Sequence, residues 1–478
     1  MVLINVFRKE NLSIPLLLAF LFFVVVAIVS LHIPFFWDEV YYVSTAHNIY
    51  DSNFNSIVPP LLSDRGNFPL YGFYMAVWWK IFGKCLAISH IAILPILFGI
   101  IWEYYLLAKK IIPKNWIPLG LLLLILEPTF LTQSILMGHD LFLLYFFLLS
   151  VRALLYDEKK LYVFAFCLLA VHNIKGIPVA FSVFLFYFFH LKFILNKKLT
   201  IQDWLMHILP AIIWILWMSY HKMITGWYVL TPINDFGNGL HLDSSLLKRI
   251  ILGIWQITDF GRIFLWMFII GGLFFIRKRE ISFQLKTLFL LLLIPTIVLL
   301  IFFALVDIDL CHRYFMVIFL IVNLSVCYMI AQFISKKMLQ YLITTLLCIG
   351  LITGNFWLYG RGFSNGWDSS LKVLPYFGLR DKMIQYVKDQ KINLLEVGTK
   401  FPLHQDLKYS DLALESFHFI EIENVSLQKF KYILLSNVNN QFAVKEKEKL
   451  KTQWILLKEF DSGQVYLQLF KNPEATDN

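Results

Sequence analysis

Charge is scarce in this chain. Only 15% of its 478 residues are Asp, Glu, Lys or Arg, while 59% are hydrophobic. A single soluble core stops growing well before it could absorb so much apolar surface, which excludes a soluble globular protein. Cysteine is scarce too. Cys85, Cys167, Cys311, Cys327 and Cys348 fall mostly inside or at the ends of apolar runs. None forms a C-x-x-C pair, so neither a disulfide framework nor a cysteine metal site is present. A concentrated basic patch is also missing. The formal net charge of +10 is spread over short clusters between apolar runs. That pattern sets orientation in a lipid bilayer and excludes nucleic acid as a partner.

What remains is a succession of apolar runs, each about twenty residues long, the mark of a polytopic helical membrane protein. The first, 14–34, is too long for a cleaved signal peptide and lacks a small-residue cleavage site, so it is expected to stay as the first span. Arg8 and Lys9 before it place the N-terminus in the cytoplasm. Further spans are expected at 88–108, 116–134, 141–155 and 161–174, then one ending near 196 and one at 204–223. The last four end near 276, near 306, near 335 and near 359. About eleven crossings put the basic clusters 8–9, 109–114, 159–160, 197–198, 277–279 and 336–337 on one side. Residues 35–87 then form an external loop with interfacial helices at 39–50 and 68–83. Counting 68–83 as a span would scatter the clusters.

The predicted fold class is an α-helical polytopic membrane domain over 1–359, followed by a small extracytoplasmic α/β domain over 360–478. In the latter, helices are expected at 380–391 and 443–453, strands at 392–397, 417–422 and 432–435, and a hairpin at 454–460 and 464–470. No catalytic constellation is visible in it.

The span ends gather polar residues on the external side: Asp38, Glu39, Arg65, His139, Asp140, Lys175, Asp235, His241, Asp307, Asp309, His312 and Arg313. Carboxylates at a membrane edge are costly and mark functional sites. A channel or ion-coupled transporter would place its charges near the bilayer midplane, where this chain has little beyond Glu103 and Glu127. Both are read as satisfied interhelical groups. The external set suits a substrate with its tail in the bilayer and its head group at the interface. Lys175 and Arg313 suit a phosphate. Asp38 or Asp140 suits a general base. Phosphate leaves without a general acid, so one base and fixed cations suffice for sugar transfer from a lipid phosphate. Adjacent helical positions face different ways, which makes Asp38 the base and Glu39 its support. The plainer readings stand beside these: Asp38 as a helix N-cap, Lys175 as a snorkelling lysine, Arg313 as an interfacial anchor and His139 as structural.

The stretch Trp37-Asp38-Glu39-Val40-Tyr41-Tyr42 with Ala46 resembles the acidic first-loop motif of GT-C glycosyltransferases. More narrowly, it is similar to the branch of protein O-mannosyltransferases and the lipid A aminoarabinose transferase. The resemblance continues in order through Phe68-Pro69-Leu70-Tyr71, Ile81-Phe82-Gly83, Asp140-Leu141, Lys175-Gly176 and Arg313-Tyr314. It implies an enzyme that takes a sugar from a polyprenyl-phosphate donor and passes it, with inversion, to an extracytoplasmic acceptor; the short loops and the lack of a processing signal suggest a prokaryotic plasma membrane. By position, Asp38, Glu39 and Asp140 match the acids lining the cavity, and Lys175 and Arg313 match the donor-phosphate positions. Tyr314, His139 and Arg65 complete the expected substrate-binding set. Phe68 stands where related sequences carry a polar or basic residue, with Arg65 or Lys80 as substitutes. Some GT-C enzymes bind a divalent metal through loop acids and others do not; the spacing here is compatible with either. The rival classes are a lipid or polysaccharide flippase without chemistry and a membrane-anchored scaffold.

Overall fold

The computed structural model describes residues 14–59, 64, 66–228, 245–276, 282–306, 309–360, 365–422, 426–438 and 442–474. The first apolar run forms α1 (Ile14–Val29). Two loop helices follow, α2 (Glu39–Asp51) and α3 (Leu70–Phe82), packed against each other. α3 has thirteen residues, the same length as the helix Lys159–Val171 at an expected crossing, so helix length alone does not separate an interfacial helix from a crossing. The membrane helices continue as α4 (Leu86–Ile111), α5 (Ile117–Leu126), α6 (Pro128–Ile135), α7 (Asp140–Leu155), α8 (Lys159–Val171), α9 (Gly176–Phe189), α10 (Ile201–Thr225), α11 (Ser245–Thr258), α12 (Arg262–Ile276), α13 (Phe283–Leu305), α14 (Met316–Phe333) and α15 (Lys337–Gly354).

Helices thus stand at every expected crossing, but their lengths divide them. Among the described residues six are long and apolar enough to span, or eight if each of two bent pairs is one span. α1, α7 and α8 are shorter, at 16, 16 and 13 residues. The figure of eleven crossings is therefore not established. The expected basic clusters at 8–9 and 277–279 lie outside the described residues.

Both bends have a visible cause. Between α5 and α6 the chain turns by 58° at Glu127-Pro128. Pro128 cannot continue the hydrogen-bond ladder but suits the first position of a new helix. Glu127 caps that helix, its Oε2 accepting from the Phe130 amide at 2.5 Å. Its other oxygen takes Arg262 Nε at 2.8 Å, so this buried acid is satisfied, as expected for a structural group. Between α11 and α12 the chain turns by 97°. There Gly261 holds a left-handed φ of 81°, and a Cβ would collide with the Gly350 carbonyl of α15.

α14 is the axis of the bundle, its residues almost all buried, whereas α10 and α15 leave apolar faces open to hydrocarbon. The C-terminal unit has helices α16 (Pro375–Asp389), α17 (Leu407–Ser410) and α18 (Val444–Gln453). Its strands are β1 (Val397–Thr399), β2 (Ile420–Glu421), β3 (Tyr432–Ser436), β4 (Ile455–Asp461) and β5 (Tyr466–Lys471), in the sheet order β2-β1-β3-β5-β4. β1 pairs in parallel with β2 and β3, and β5 pairs antiparallel with β3 and β4. The hairpin turns where expected: Gly463 takes φ 81° while its amide donates to Asp461 Oδ1 at 2.7 Å. The strands expected at 392–397 and 417–422 shrink to Val397–Thr399 and Ile420–Glu421, because a 3-10 turn at Leu394–Glu396 occupies the first.

Candidate active site

Five separate segments deliver polar side chains to one end of the bundle. α1 ends at Val29, and the chain reverses at Trp37, whose φ of 61° is left-handed. For a residue with a Cβ this costs about 1–2 kcal/mol. The reversal starts α2 immediately, so Asp38 and Glu39 sit at its first turn. Asp38 occupies the N-cap position but makes no side-chain cap hydrogen bond. Its carboxylate instead pairs with Arg313 Nη2.

The other segments arrive at helix starts as well. His139 and Asp140 begin α7 after a turn through Met137 (φ 56°) and Gly138, where a Cβ would strike the Gln133 side chain. Lys175 precedes α9, and Arg313 and Tyr314 precede α14 in the 3-10 turn His312–Phe315. A helix start is where an apolar segment meets polar surroundings, so these residues gather at one end of the bundle.

Arg313 is the centre. Its fully buried guanidinium meets four carboxylates: Asp38 at Nη2, Glu39 Oε1 at Nη1 (3.3 Å), and at Nε both Asp368 Oδ2 (3.1 Å) and Asp140 Oδ2 (3.5 Å). Lys175 Nζ lies 2.5 Å from Asp140 Oδ1 and 3.0 Å from His139 Nε2, over the Tyr314 ring at 4.6 Å. His139 Nδ1 faces Glu39 Oε1 at 3.3 Å, and its ring stacks on Tyr42 with centroids 3.7 Å apart. These partners assign a neutral ring that accepts from Lys175 on Nε2 and donates to Glu39 from Nδ1. Burial, with Lys175 and Arg313 nearby, holds the His139 pKa well below its usual value, in agreement. His172 Nε2 meets the His139 carbonyl at 3.0 Å and Tyr71 Oη donates to Met137 O at 2.7 Å, which fixes the turn.

The adjacent acids differ sharply. Glu39 is fully buried, and its Oε2 has no hydrogen-bond partner. Burial pushes its pKa up to about 8; Arg313 opposes this, and Asp38, Asp368 and Asp140 add to it. Asp38 has a side chain 36% exposed and, among the described residues, one ionic partner, Arg313. Asp38 is thus the more accessible carboxylate of the pair and Glu39 the buried one, which holds its proton more tightly than an ordinary carboxyl.

The structure brings together Asp38, Glu39, His139, Asp140, Lys175, Arg313 and Tyr314. Arg65, Asp235, His241 and Asp307 lie outside the described residues. Asp309 is exposed. His312 turns away to Asp259, its Nε2 2.7 Å from Oδ2. Lys80, the other substitute for a basic residue at Phe68, is exposed and donates to Asn53 Oδ1 at 2.9 Å. Phe68 itself packs edge-on to Trp217 at 5.3 Å, an apolar role. As for a divalent metal, no group of three or more His, Cys, Asp or Glu side chains among the described residues is disposed to hold one. The Arg313 guanidinium lies between the acids instead.

Asp368 was not foreseen. It stands in residues 365–373, which the sequence groups with the external domain but which lie on the bundle. Gln133 Nε2 donates to the Asp368 carbonyl at 2.8 Å, and Thr129 Oγ1 to the Ser369 carbonyl at 3.2 Å. Lys372 is buried among Phe260, Tyr359 and Trp367 and donates to Trp357 O at 2.7 Å. Burial pushes its pKa down to about 7. Nothing local marks Asp368 in the sequence; only the third dimension brings it to Arg313.

No protein-family model and no curated protein sequence matches the chain. Two solved structures are similar. The single-particle cryo-EM structure of the arabinofuranosyltransferase AftD from Mycobacteria aligns at TM-score 0.46 and 12% identity, covering 95% of this chain and 40% of AftD. The crystal structure of ArnT from Cupriavidus metallidurans bound to undecaprenyl phosphate aligns at TM-score 0.55 and 10% identity, covering 96% of this chain and 98% of ArnT. From its first membrane helix to its C-terminal sheet, this chain has the fold of the GT-C enzyme ArnT.

Proposed function

We propose that the protein is a membrane glycosyltransferase that moves a sugar from a polyprenyl-phosphate donor to a hydroxyl or amine at the external face. The observation that carries this reading is the convergence of Asp38, Asp140, Lys175 and Arg313 at one end of a bundle with the ArnT fold. The ArnT structure holds undecaprenyl phosphate, which makes a polyprenyl phosphate a fitting partner for this chain too.

The chemistry follows from the groups present. The acceptor oxygen or nitrogen attacks the anomeric carbon as the bond from that carbon to the phosphate oxygen breaks. Asp38 takes the acceptor's proton, and polyprenyl phosphate departs with the bonding electrons. Attack opposite the leaving group inverts the anomeric centre. Lys175 and Arg313 neutralise charge building on the phosphate as it leaves. With Glu39 protonated, Asp38, Asp140 and Asp368 face Arg313 and Lys175 among the described residues, so an arriving phosphate must compete for cations already engaged. Where it takes the guanidinium edge held by Asp38, it releases that carboxylate to act as base. Donor binding and base activation are one event in this scheme.

The test is incubation of the purified protein with labelled polyprenyl-phosphate sugars and candidate acceptors, following release of polyprenyl phosphate and label in the acceptor. Release that depends on acceptor and on Asp38 supports the reading. Lipid movement across a bilayer with no cleavage of the sugar–phosphate bond would overturn it in favour of a flippase.

A further inference from the structure

The chain beyond the last membrane helix reaches the acid cluster at two points. One is Asp368, 3.1 Å from Arg313 Nε. Gln133 clamps its carbonyl and Thr129 that of Ser369 to α6, and Ser369 Oγ donates to its Oδ1 at 2.9 Å. Asp368 is therefore a fixed group against which Arg313 rests. It meets the guanidinium at Nε, while Asp38 meets it at Nη2.

The second point lies on the acid loop. Gln405 Nε2 donates to the Trp37 carbonyl at 3.0 Å, and the Trp37 ring packs edge-on to Phe401 with centroids 4.7 Å apart. Phe36 inserts beside Tyr376 and Phe377, and the Phe35 amide donates to Ser410 O at 2.8 Å. Trp37 is the residue in the left-handed conformation, and Asp38 is the next residue. Such a conformation persists only where surroundings over-determine it. Here much of what determines it comes from the C-terminal unit: Phe401, Gln405, Ser410, Tyr376 and Phe377.

Accepting the glycosyltransferase reading, we infer that Asp368 and Gln405 are positioning residues: together they set the Asp38–Arg313 pair from its two sides. The C-terminal unit is then part of the active site's frame, and neither residue touches the reacting atoms. Asp368 acts through Arg313, and Gln405 acts through the Trp37 turn.

The experiment uses the full-length protein in detergent or nanodiscs, with Asp368→Asn and Gln405→Met, both near-isosteric. Each is expected to lower kcat about 10-fold or more with donor KM changed less than about threefold, the sign of misplaced geometry. Gln405→Met combined with Asp38→Asn, and Asp368→Asn combined with Arg313→Lys, are each expected to add almost nothing, because the group each residue positions is already changed. A merely structural residue would cost as much in those backgrounds as alone, and that result would overturn the inference. Hydrogen exchange of the peptide 35–42 supplies a readout independent of turnover. Gln405→Met is expected to speed it while peptides of the sheet keep their protection. Unchanged exchange at 35–42 would overturn the Gln405 half. A wild type that cleaves no polyprenyl-phosphate sugar would sink the functional reading, while the exchange result still decides whether Gln405 holds the Trp37 turn.

Discussion

The two ends of the bundle each carry a buried arginine among acids, and they are built differently. Toward the basic end, Arg152 meets Glu103 through a two-point fork, Nε to Oε2 at 2.6 Å and Nη2 to Oε1 at 3.3 Å, and pairs with Glu158. Two acids share one arginine, and one of them, Glu158, is 44% exposed. At the other end Arg313 meets four acids, with Lys175 and His139 next to them, and its Nε has two carboxylates nearby but hydrogen-bonds to neither. The first arrangement satisfies its groups and has no use for another partner. The second has the same two-to-one ratio of acids to cations but leaves Arg313 Nε, Glu39 Oε2 and Asp368 Oδ2 without hydrogen bonds. A satisfied pair clamps helices; an imperfectly satisfied one is poised to exchange a partner when an anion arrives. This difference, more than burial, separates a structural ion pair from a candidate site.

The sharpest way to break the comparison is to change each arginine. Arg313→Lys keeps the charge and loses the fork, and is expected to cut kcat/KM for the lipid donor about 100-fold or more, measured by polyprenyl phosphate release. Arg152→Met should leave kcat unchanged and lower stability by about 3 kcal/mol, read from thermal unfolding in detergent. If the two substitutions had the same effect on rate, the distinction between the ends would fall. Lys175→Ala removes one charge-assisted contact, and an increase of about 10-fold in apparent donor KM is the expected result. An unchanged donor KM would withdraw Lys175 from the phosphate site.

The smallest effect concerns Glu39. Its pKa of about 8 when folded exceeds its ordinary value of 4.5, so the folded state holds this proton more tightly than the unfolded chain. Its contribution is fully present below about pH 4.5 and is lost as pH rises toward 8. The melting temperature of the wild type should therefore fall across that window. Glu39→Gln, which keeps the oxygen facing His139, should flatten the fall and hold kcat at pH 7 within about threefold of wild type. A loss of activity as deep as that of an Asp38 variant would reverse the roles of the two acids.

Much of the site was legible because membrane proteins expose their polar residues where apolar runs stop. Asp38, Asp140, Lys175 and Arg313 each stand within a few residues of such an end, and alternation of spans then puts them on one face. The division between Asp38 and Glu39 was legible from helix geometry, which turns neighbours apart. Asp368 was not, since it lies among other polar residues after the last span, and neither periodicity nor charge distinguishes it. Gln405 was hidden for the same reason, its partner being a backbone carbonyl 368 positions away in the chain. The span count was the least legible feature. Hydropathy locates each helix but cannot foresee that Glu127-Pro128 and residues 259–261 bend their segments away from a straight crossing. The sequence suits Lys175 and Arg313 to a phosphate but does not show that acids from distant segments already engage both.

The central claim is that Asp38 is the base and Arg313 its partner until donor arrives. The direct measurement is polyprenyl phosphate release from a labelled donor by wild type and Asp38→Asn, in the presence of acceptor and at saturating donor. The account predicts that kcat falls about 1,000-fold in the variant while donor binding persists, since asparagine occupies the same space and cannot take the proton. Release at the wild-type rate from Asp38→Asn would contradict it.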